Sequence, residues 1–144
     1  MRPTGENVQM LKGALFAKCF GRAKRAIEDG YYLEAISLSE SMIMNRLSVV
    51  LNANLEDDFS KFSVGKSANN LISHKVPAFD INLWRDCLEW SKERNKISHK
   101  FADLDFIEQQ TLDWRAKLNG AKLVAVEGLS LANRCSNEAR KHKL

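Results

Sequence analysis

Residues 23–36 read AKRAIEDGYYLEAI, and the Asp29-Gly30 pair at their centre decides the fold. On either side of this pair, apolar residues recur three or four positions apart, which is the spacing of an amphipathic helix. A glycine after such a run is typical of a helix end, because glycine adopts the left-handed cap conformation without strain. The sequence therefore predicts two long antiparallel helices joined by a tight turn. Their apolar stripes are Val8, Leu11, Leu15, Cys19, Ala23 and Ile27, widened by Phe16 and Phe20, and then Tyr32, Ala35, Ile36, Ile43, Leu47 and Leu51.

The remainder of the chain continues the helical pattern. With two prolines and seven glycines it has too few turn formers for a β-sandwich or barrel. We predict a loop over 52–63, a short helix near 64–72, a break at Val76-Pro77, a long helix from about 81 and a last one opened by a capping box at Asp105 and Glu108. The predicted fold is an all-α bundle of four long helices plus one short helix. We expect one domain over residues 1–144, with a core of about 7–136 and a frayed basic tail over 137–144.

Composition excludes several classes of protein. The 144 residues are 44% hydrophobic and 28% charged, which is an ordinary globular balance. No run is long enough for a membrane span and no signal-peptide pattern opens the chain, so we expect a cytoplasmic protein without a membrane partner. Cys19, Cys87 and Cys135 are widely spaced and contain no CxxC pair, which favours buried thiols over a disulfide framework or zinc site. We expect no cofactor and no metal.

The charge that bears on function is concentrated in one segment. The net charge is +4, yet the body of the chain from 29 to 133 is net negative. Within that body, residues 92–100 hold four basic residues against one acidic, and His99 lies among them. Histidine exchanges a proton near neutral pH, and the arginine fork donates two hydrogen bonds to phosphate oxygens. Because RNA cleavage without a metal needs both actions, we predict RNA as the partner, with Arg94 stabilising the phosphate and His99 as general acid or base.

The spacing of Arg94 and His99 adds a constraint. Five residues along a continuous helix separate the two side chains by about 140° around its axis, so they do not converge. Either the helix breaks near 95–98, or a second copy of the chain completes the site across a two-fold interface. The alternative without a functional site is that both residues cap a helix C-terminus, where the helix dipole favours positive charge.

The apolar stripe predicted for the long helix from about 81 is interrupted by one charge, Arg94; its members are Leu83, Cys87, Trp90, Arg94 and Ile97. Glu40 is a second charge on an apolar face. It lies four residues after Ile36 and three before Ile43. Because an unpaired buried charge costs several kcal/mol, the simplest resolution is a salt bridge to another off-pattern charge, and Arg94 is the predicted partner. The alternative is that Glu40 lies at the edge of the stripe and reaches water.

The run Arg94-Asn95-xxx-His99 resembles the R-N/D/H-x-x-x-H signature of HEPN domains, which are compact α-helical bundles. The Tyr31-Tyr32 hairpin with Glu40, the apolar approach to the motif through Trp84, Leu88 and Trp90, and the motif itself follow one another in the order that HEPN proteins show. The resemblance covers roughly residues 10–135. In one toxin group the motif continues as His-x-Tyr, and an antitoxin nucleotidyltransferase modifies that tyrosine. Here the position is Phe101, which has no hydroxyl.

The resemblance implies a metal-independent endoribonuclease with a composite active site at a homodimer interface. Arg94 and His99 are then the catalytic pair, Asn95 is a polar assistant, and Glu40 and Ser98 support them. Lys92, Lys96 and Lys100 are expected to bind RNA phosphates. Many relatives act as toxins restrained by an antitoxin, in phage defence or in RNA processing. The alternative is a non-catalytic HEPN-like module for dimerisation or nucleic-acid binding within a larger complex.

Overall fold

The computed structural model describes residues 5–56, 62–102 and 114–142, and within these ranges every regular element is an α-helix. The helices are α1 (Gly5–Glu28), α2 (Tyr32–Asn54), α3 (Val64–Ser73), α4 (Leu83–Ala102) and α5 (Trp114–Lys141). The predicted all-α class, with four long helices and a short one, is confirmed for this part of the chain. The capping box at Asp105 and Glu108 lies outside the described residues. No helix in the described ranges is both long and apolar enough to cross a membrane.

The turn between α1 and α2 forms as the Asp29-Gly30 pair predicts. Gly30 has a φ of +85°, which a residue with a Cβ adopts only at a cost. Its N–H donates to the carbonyl of Ile27 at 3.2 Å, and the N–H of Tyr31 donates to Ala26 at 2.7 Å. This pair of bonds is the Schellman motif, which satisfies the last carbonyls of α1 and reverses the chain.

The second helix lies at the centre of the bundle, with its most extensive contacts to α5 and then to α1. Its predicted stripe is buried except for Tyr32, which is half-buried. The stripe predicted for α1 is wrong at Leu15, which is 60% exposed. Ala23 is buried, and Phe16, Cys19, Phe20 and Ile27 are partly buried against the core, as predicted. The side chains of Val8 and Leu11 lie outside the described residues.

The fourth helix is fixed between its neighbours by two buried tryptophans. The indole Nε1 of Trp84 donates to the carbonyl of Val76 at 2.9 Å, and that of Trp90 donates to Val124 at 2.9 Å. Trp90 packs against Gly128 of α5 so closely that a Cβ at position 128 would lie 2.7 Å from its ring. Both tryptophans therefore belong to the core of one chain, and their contacts set the orientation of α4 about its own axis.

The cysteines follow the prediction in part. Cys87 of α4 and Cys135 of α5 are buried, with their sulfur atoms 3.5 Å apart. The hydrogen bond to Cys87, together with burial, raises the pKa of the Cys135 thiol, which makes this sulfur a packing atom rather than a nucleophile. Cys19 is only half-buried, because it lies on the less buried part of α1.

The frayed tail predicted from residue 137 is wrong for the described part of that segment. The last helix continues to Lys141, and Glu138, Ala139 and His142 are buried. The apolar positions of α5 continue to the end of the helix at helical spacing, through Ala132, Cys135 and Ala139. The basic residues of the segment lie between them and hide this pattern in the composition. Residues 143 and 144 lie outside the described range.

Candidate functional site

The motif segment lies on one unbroken helix. The fourth helix runs from Leu83 to Ala102 and so includes Arg94, Asn95, Ser98 and His99. Its buried stripe is Leu83, Cys87, Trp90 and Ile97, as predicted, with Arg94 as the half-buried member in between. The helix break proposed near 95–98 is therefore absent. Arg94 lies two turns before the helix end, so capping of the C-terminus does not explain it, whereas His99 does lie in the last turn.

The predicted ion pair between Glu40 and Arg94 is confirmed. The Nε atom of Arg94 lies against Oε2 of Glu40, and the two side chains are 30% and 26% exposed. A terminal nitrogen of the guanidinium, Nη1, also donates to Oδ1 of Asn95 at 3.3 Å. The alternative, in which Glu40 reaches water without a charged partner, is therefore wrong. The pair joins α2 to α4 and holds a partly exposed guanidinium in one orientation.

The other motif side chains are open to solvent. Asn95, Ser98 and His99 are exposed, whereas Ile97 between them is buried. On this continuous helix, His99 lies about 140° around the axis and about 7.5 Å along it from Arg94. Ser98 is four residues from Arg94 and shares its face, and Asn95 is four residues from His99 and shares that one. A single chain therefore brings Arg94 together with Glu40 and Asn95, and does not bring it together with His99.

The lysines predicted to bind RNA are partly neutralised on their own helix. Lys92 pairs with Glu89 at 3.2 Å and Lys96 pairs with Glu93 at 3.0 Å, both one helical turn apart and exposed. Such surface pairs contribute about 0–1 kcal/mol, so a phosphate can replace the carboxylate with little loss. The side chain of Lys100 lies outside the described residues. The local positive charge predicted from the sequence is thus weakened by Glu89 and Glu93, while Arg94 carries a charge that is held in place.

A second polar cluster, which the sequence did not predict, lies at the other end of the bundle. Glu138 accepts hydrogen bonds from the backbone N–H groups of Phe79 and Asp80, at 3.1 and 2.8 Å, and lies 2.9 Å from Nε2 of His142. Asn54 of α2 bonds the other ring nitrogen of His142 at 3.0 Å. Glu138 and His142 are almost completely buried. Buried polar groups satisfied in this way fix the loop before α4, and with it the start of the motif helix.

Arg134 secures the same loop from the surface. Its guanidinium bonds both carboxylate oxygens of Asp80, at 2.8 and 3.0 Å, and pairs with Asp86 at 2.9 Å. The hydrogen bonds from Arg134 hold the pKa of Asp80 below its usual value. Within the described ranges, no group of three His, Cys, Asp or Glu side chains is placed so that it could hold a metal ion. This second polar cluster therefore serves as a structural anchor, and it is built from paired charges.

Comparisons of this chain with protein-family models, with curated proteins and with solved structures give no match.

Proposed function

We propose that the protein is a metal-independent endoribonuclease of the HEPN type, acting in the cytoplasm as a toxin or phage-defence effector. The observation that supports it most is the Glu40–Arg94 pair. An arginine that interrupts a core stripe costs stability, and here it is not left to solvent but oriented by a carboxylate from another helix. Pre-orientation of a cation lowers the reorganisation needed when charge develops on a bound phosphate.

The proposed reaction is attack of an RNA 2′-hydroxyl on the neighbouring phosphorus. A bond from the 2′-oxygen to phosphorus forms, the bond from phosphorus to the 5′-oxygen breaks, and a 2′,3′-cyclic phosphate and a 5′-hydroxyl result. His99 accepts the proton of the attacking hydroxyl or donates one to the leaving oxygen. Arg94 donates hydrogen bonds to the phosphate oxygens, while Asn95 and Glu40 hold its guanidinium and Ser98 lies on the same face. Lys92 and Lys96 exchange their carboxylate partners for the flanking phosphates.

The site needs two copies of the chain. Because α4 is continuous, Arg94 of one copy must meet His99 of the other across a two-fold axis. In a homodimer of this kind the same segment contributes twice, so two equivalent sites form. A regulatory partner or antitoxin that separates the copies, or covers the motif face of α4, would silence both.

The assay for this function uses single-stranded RNA in the presence of EDTA. We expect the wild-type protein to leave 2′,3′-cyclic phosphate ends, and Arg94→Ala and His99→Ala each to lose at least about a hundredfold in rate. The matched control is Arg85→Ala, an exposed arginine on the same helix outside the motif, which should keep the wild-type rate. No cleavage across a broad panel of RNAs by folded, dimeric wild-type protein would overturn the proposal.

A non-catalytic HEPN-like module, for dimerisation or nucleic-acid binding in a larger complex, is the second candidate. The observation that favours it is again local: Arg94 is already neutralised by Glu40, which is sufficient reason for a purely structural arginine. This candidate predicts RNA binding or dimerisation without cleavage. Intact RNA recovered from a saturated complex with the wild-type protein would select it over the nuclease.

A further inference from the structure

A cleft of about 570 Å³ lies between the second half of α1 and the start of α2, away from the motif residues. Its lining combines small residues of α1, namely Ala17, Gly21 and Ala26, with the cations Lys18, Arg22 and Arg25 and with Tyr31. Two carboxylates, Asp29 and Glu34, complete it. A Cβ added at Gly21 would meet nothing within 4 Å, so the cleft is open at that point. Its volume is large enough for a planar group.

The cations of this cleft are not all committed to partners. Arg22 pairs with Glu34 at 2.9 Å, although this pair is exposed and so contributes little. The side chains of Lys18 and Arg25 make no hydrogen bond or ion pair with any described residue. Seven residues apart, they lie on the same face of α1, about 10 Å from each other along its axis. Asp29 at the turn is the carboxylate left to oppose them, so the cleft keeps an excess of positive charge.

Tyr31 stands at the mouth of the cleft with an exposed ring. Its side chain is 63% exposed, although its backbone N–H is fixed to the carbonyl of Ala26 by the turn that closes α1. An exposed aromatic ring on a held backbone, beside cations, is an arrangement on which single-stranded nucleic acids bind, because bases stack on the ring and phosphates contact the cations. Gly30 and the two backbone bonds secure the turn itself, and most of the tyrosine remains open to a ligand.

The cleft lies at the same end of the bundle as His99. In α4, Ile97 reaches the position of Gly120 on α5, where a Cβ would lie 3.6 Å from its methyl group. One residue on, Ala121 lines a groove together with Leu33 of α2 and with Tyr31, which directly precedes that helix. The end of α4, the start of α2 and the end of α1 therefore share one end of the molecule.

We propose that the cleft between α1 and α2 is a separate binding site for single-stranded RNA, in which Tyr31 stacks on an unpaired base while Lys18 and Arg25 contact neighbouring phosphates. The inference rests on the proposed function, because that function supplies RNA as the ligand. It adds a site outside the catalytic segment. The site holds the substrate by its unpaired bases and so selects single strands over duplexes.

The test measures binding in the full-length His99→Ala background, so that the RNA stays intact. The probe is a fluorescent oligouridylate of about 12 nucleotides, long enough for one such site. Tyr31→Ala should weaken binding by about fivefold to tenfold, whereas Tyr31→Phe keeps the ring and the affinity. The double variant Lys18→Ala/Arg25→Ala should lower the slope of log affinity against log salt by about 1.4, the value for two lost phosphate contacts on a single strand.

Two controls separate this site from general effects of charge and folding. Lys24→Ala removes an equally exposed cation of α1 that does not line the cleft, and should leave the affinity within about twofold. A duplex probe offers no unpaired base, so Tyr31→Ala should not change its binding. An unchanged affinity of Tyr31→Ala for the single strand, or equal losses for single strand and duplex, would overturn the inference.

The outcomes also separate this inference from the proposed function. If the wild-type protein cleaves RNA but Tyr31→Ala and Lys18→Ala/Arg25→Ala bind it normally, the nuclease stands and the cleft is not a binding site. If the wild-type protein never cleaves but the cleft variants lose binding as described, the cleft stands and the nuclease fails.

Discussion

Two of the polar contacts in this bundle, one in its middle and one at an end, differ in how much water reaches them. Glu40 and Arg94, in the middle of the bundle, are 26% and 30% exposed and join α2 to α4. Glu138 and His142, at its far end, are 1% and 7% exposed. The first pair leaves a charged group within reach of a ligand, whereas the hydrogen bonds of the second pair are all made to other groups of the protein. The difference separates a contact suited to function from one that stabilises the fold.

The largest expected effect comes from a substitution that removes the buried contact between Glu138 and His142. Glu138→Ala removes the acceptor of two backbone N–H groups and of the His142 contact, so we expect the free energy of unfolding to fall by about 3–5 kcal/mol. Urea denaturation followed by circular dichroism measures it. The control is Glu127→Ala, an exposed glutamate on the same helix, which should change stability by less than about 0.5 kcal/mol. Equal losses in the two variants would contradict the role given to Glu138.

A second prediction concerns what holds the middle of the bundle. Gly128→Ala would drive a methyl group into the Trp90 ring and Ser39, so we expect a loss of about 1–3 kcal/mol. Gly13→Ala, on α1 with open space around it, should instead gain about 0.5–1 kcal/mol from helix propensity. Thermal unfolding of both variants checks the two signs. Stabilisation by both would show that α4 and α5 are not in close contact at this level.

The ion pair between Glu40 and Arg94 should contribute less to stability than the contacts of Glu138 or the close packing at Gly128. We expect each alanine variant to lose about 1 kcal/mol, with a coupling of similar size in a double-mutant cycle. The matched cycle on Arg22 and Glu34, a more exposed pair, should give a coupling close to zero. A coupling above about 3 kcal/mol would show that the Glu40–Arg94 pair stabilises the fold as strongly as a buried contact does. The two pairs would then not differ in the way described above.

The smallest expected effect is a pH dependence at the far end. Since Arg134 lowers the pKa of Asp80 in the folded chain, Asp80 stabilises the fold above its ordinary pKa of 3.8, and this contribution disappears as pH falls through the lowered value. The advantage of wild type over Asp80→Asn should therefore be present at about pH 6 and smaller at about pH 3. Urea denaturation at both values measures it. An advantage that grows on acidification would have the wrong sign for this pairing.

The sequence predicted the turn between α1 and α2 and the middle of the bundle better than the end that holds Glu138 and His142. The Asp29-Gly30 pair marks a helix end through local backbone chemistry, and Glu40 and Arg94 stand out because each interrupts an apolar stripe. Two off-pattern charges of opposite sign on buried stripes leave few ways to be satisfied, so their pairing was predictable. The continuity of α4 was left open, although residues 95–98 contain no Gly or Pro and Ile97 keeps the helical spacing.

The far end was missed for a physical reason. A segment rich in Lys and Arg suggests a solvated tail by composition, yet Cys135 and Ala139 continue the apolar spacing. Glu138 stands in the last turn of α5, and His142, four residues on, directly follows the helix. Periodicity was the available signal, and charge hid it. No pattern in the sequence identifies the partners of Glu138. They are two backbone N–H groups of the loop before α4, which belong to residues 58 and 59 positions away.

The central claim, a site shared between two copies, is tested most directly by mixing two inactive variants. Arg94→Ala and His99→Ala protein, each inactive alone, are combined, allowed to exchange subunits and assayed on single-stranded RNA with EDTA. A mixed dimer keeps one site with Arg94 from one copy and His99 from the other, so random exchange should restore about one quarter of the wild-type rate. Mixing either variant with Arg94→Ala/His99→Ala should restore none. A mixture that stays inactive, although its subunits exchange and the wild type cleaves, would contradict the account.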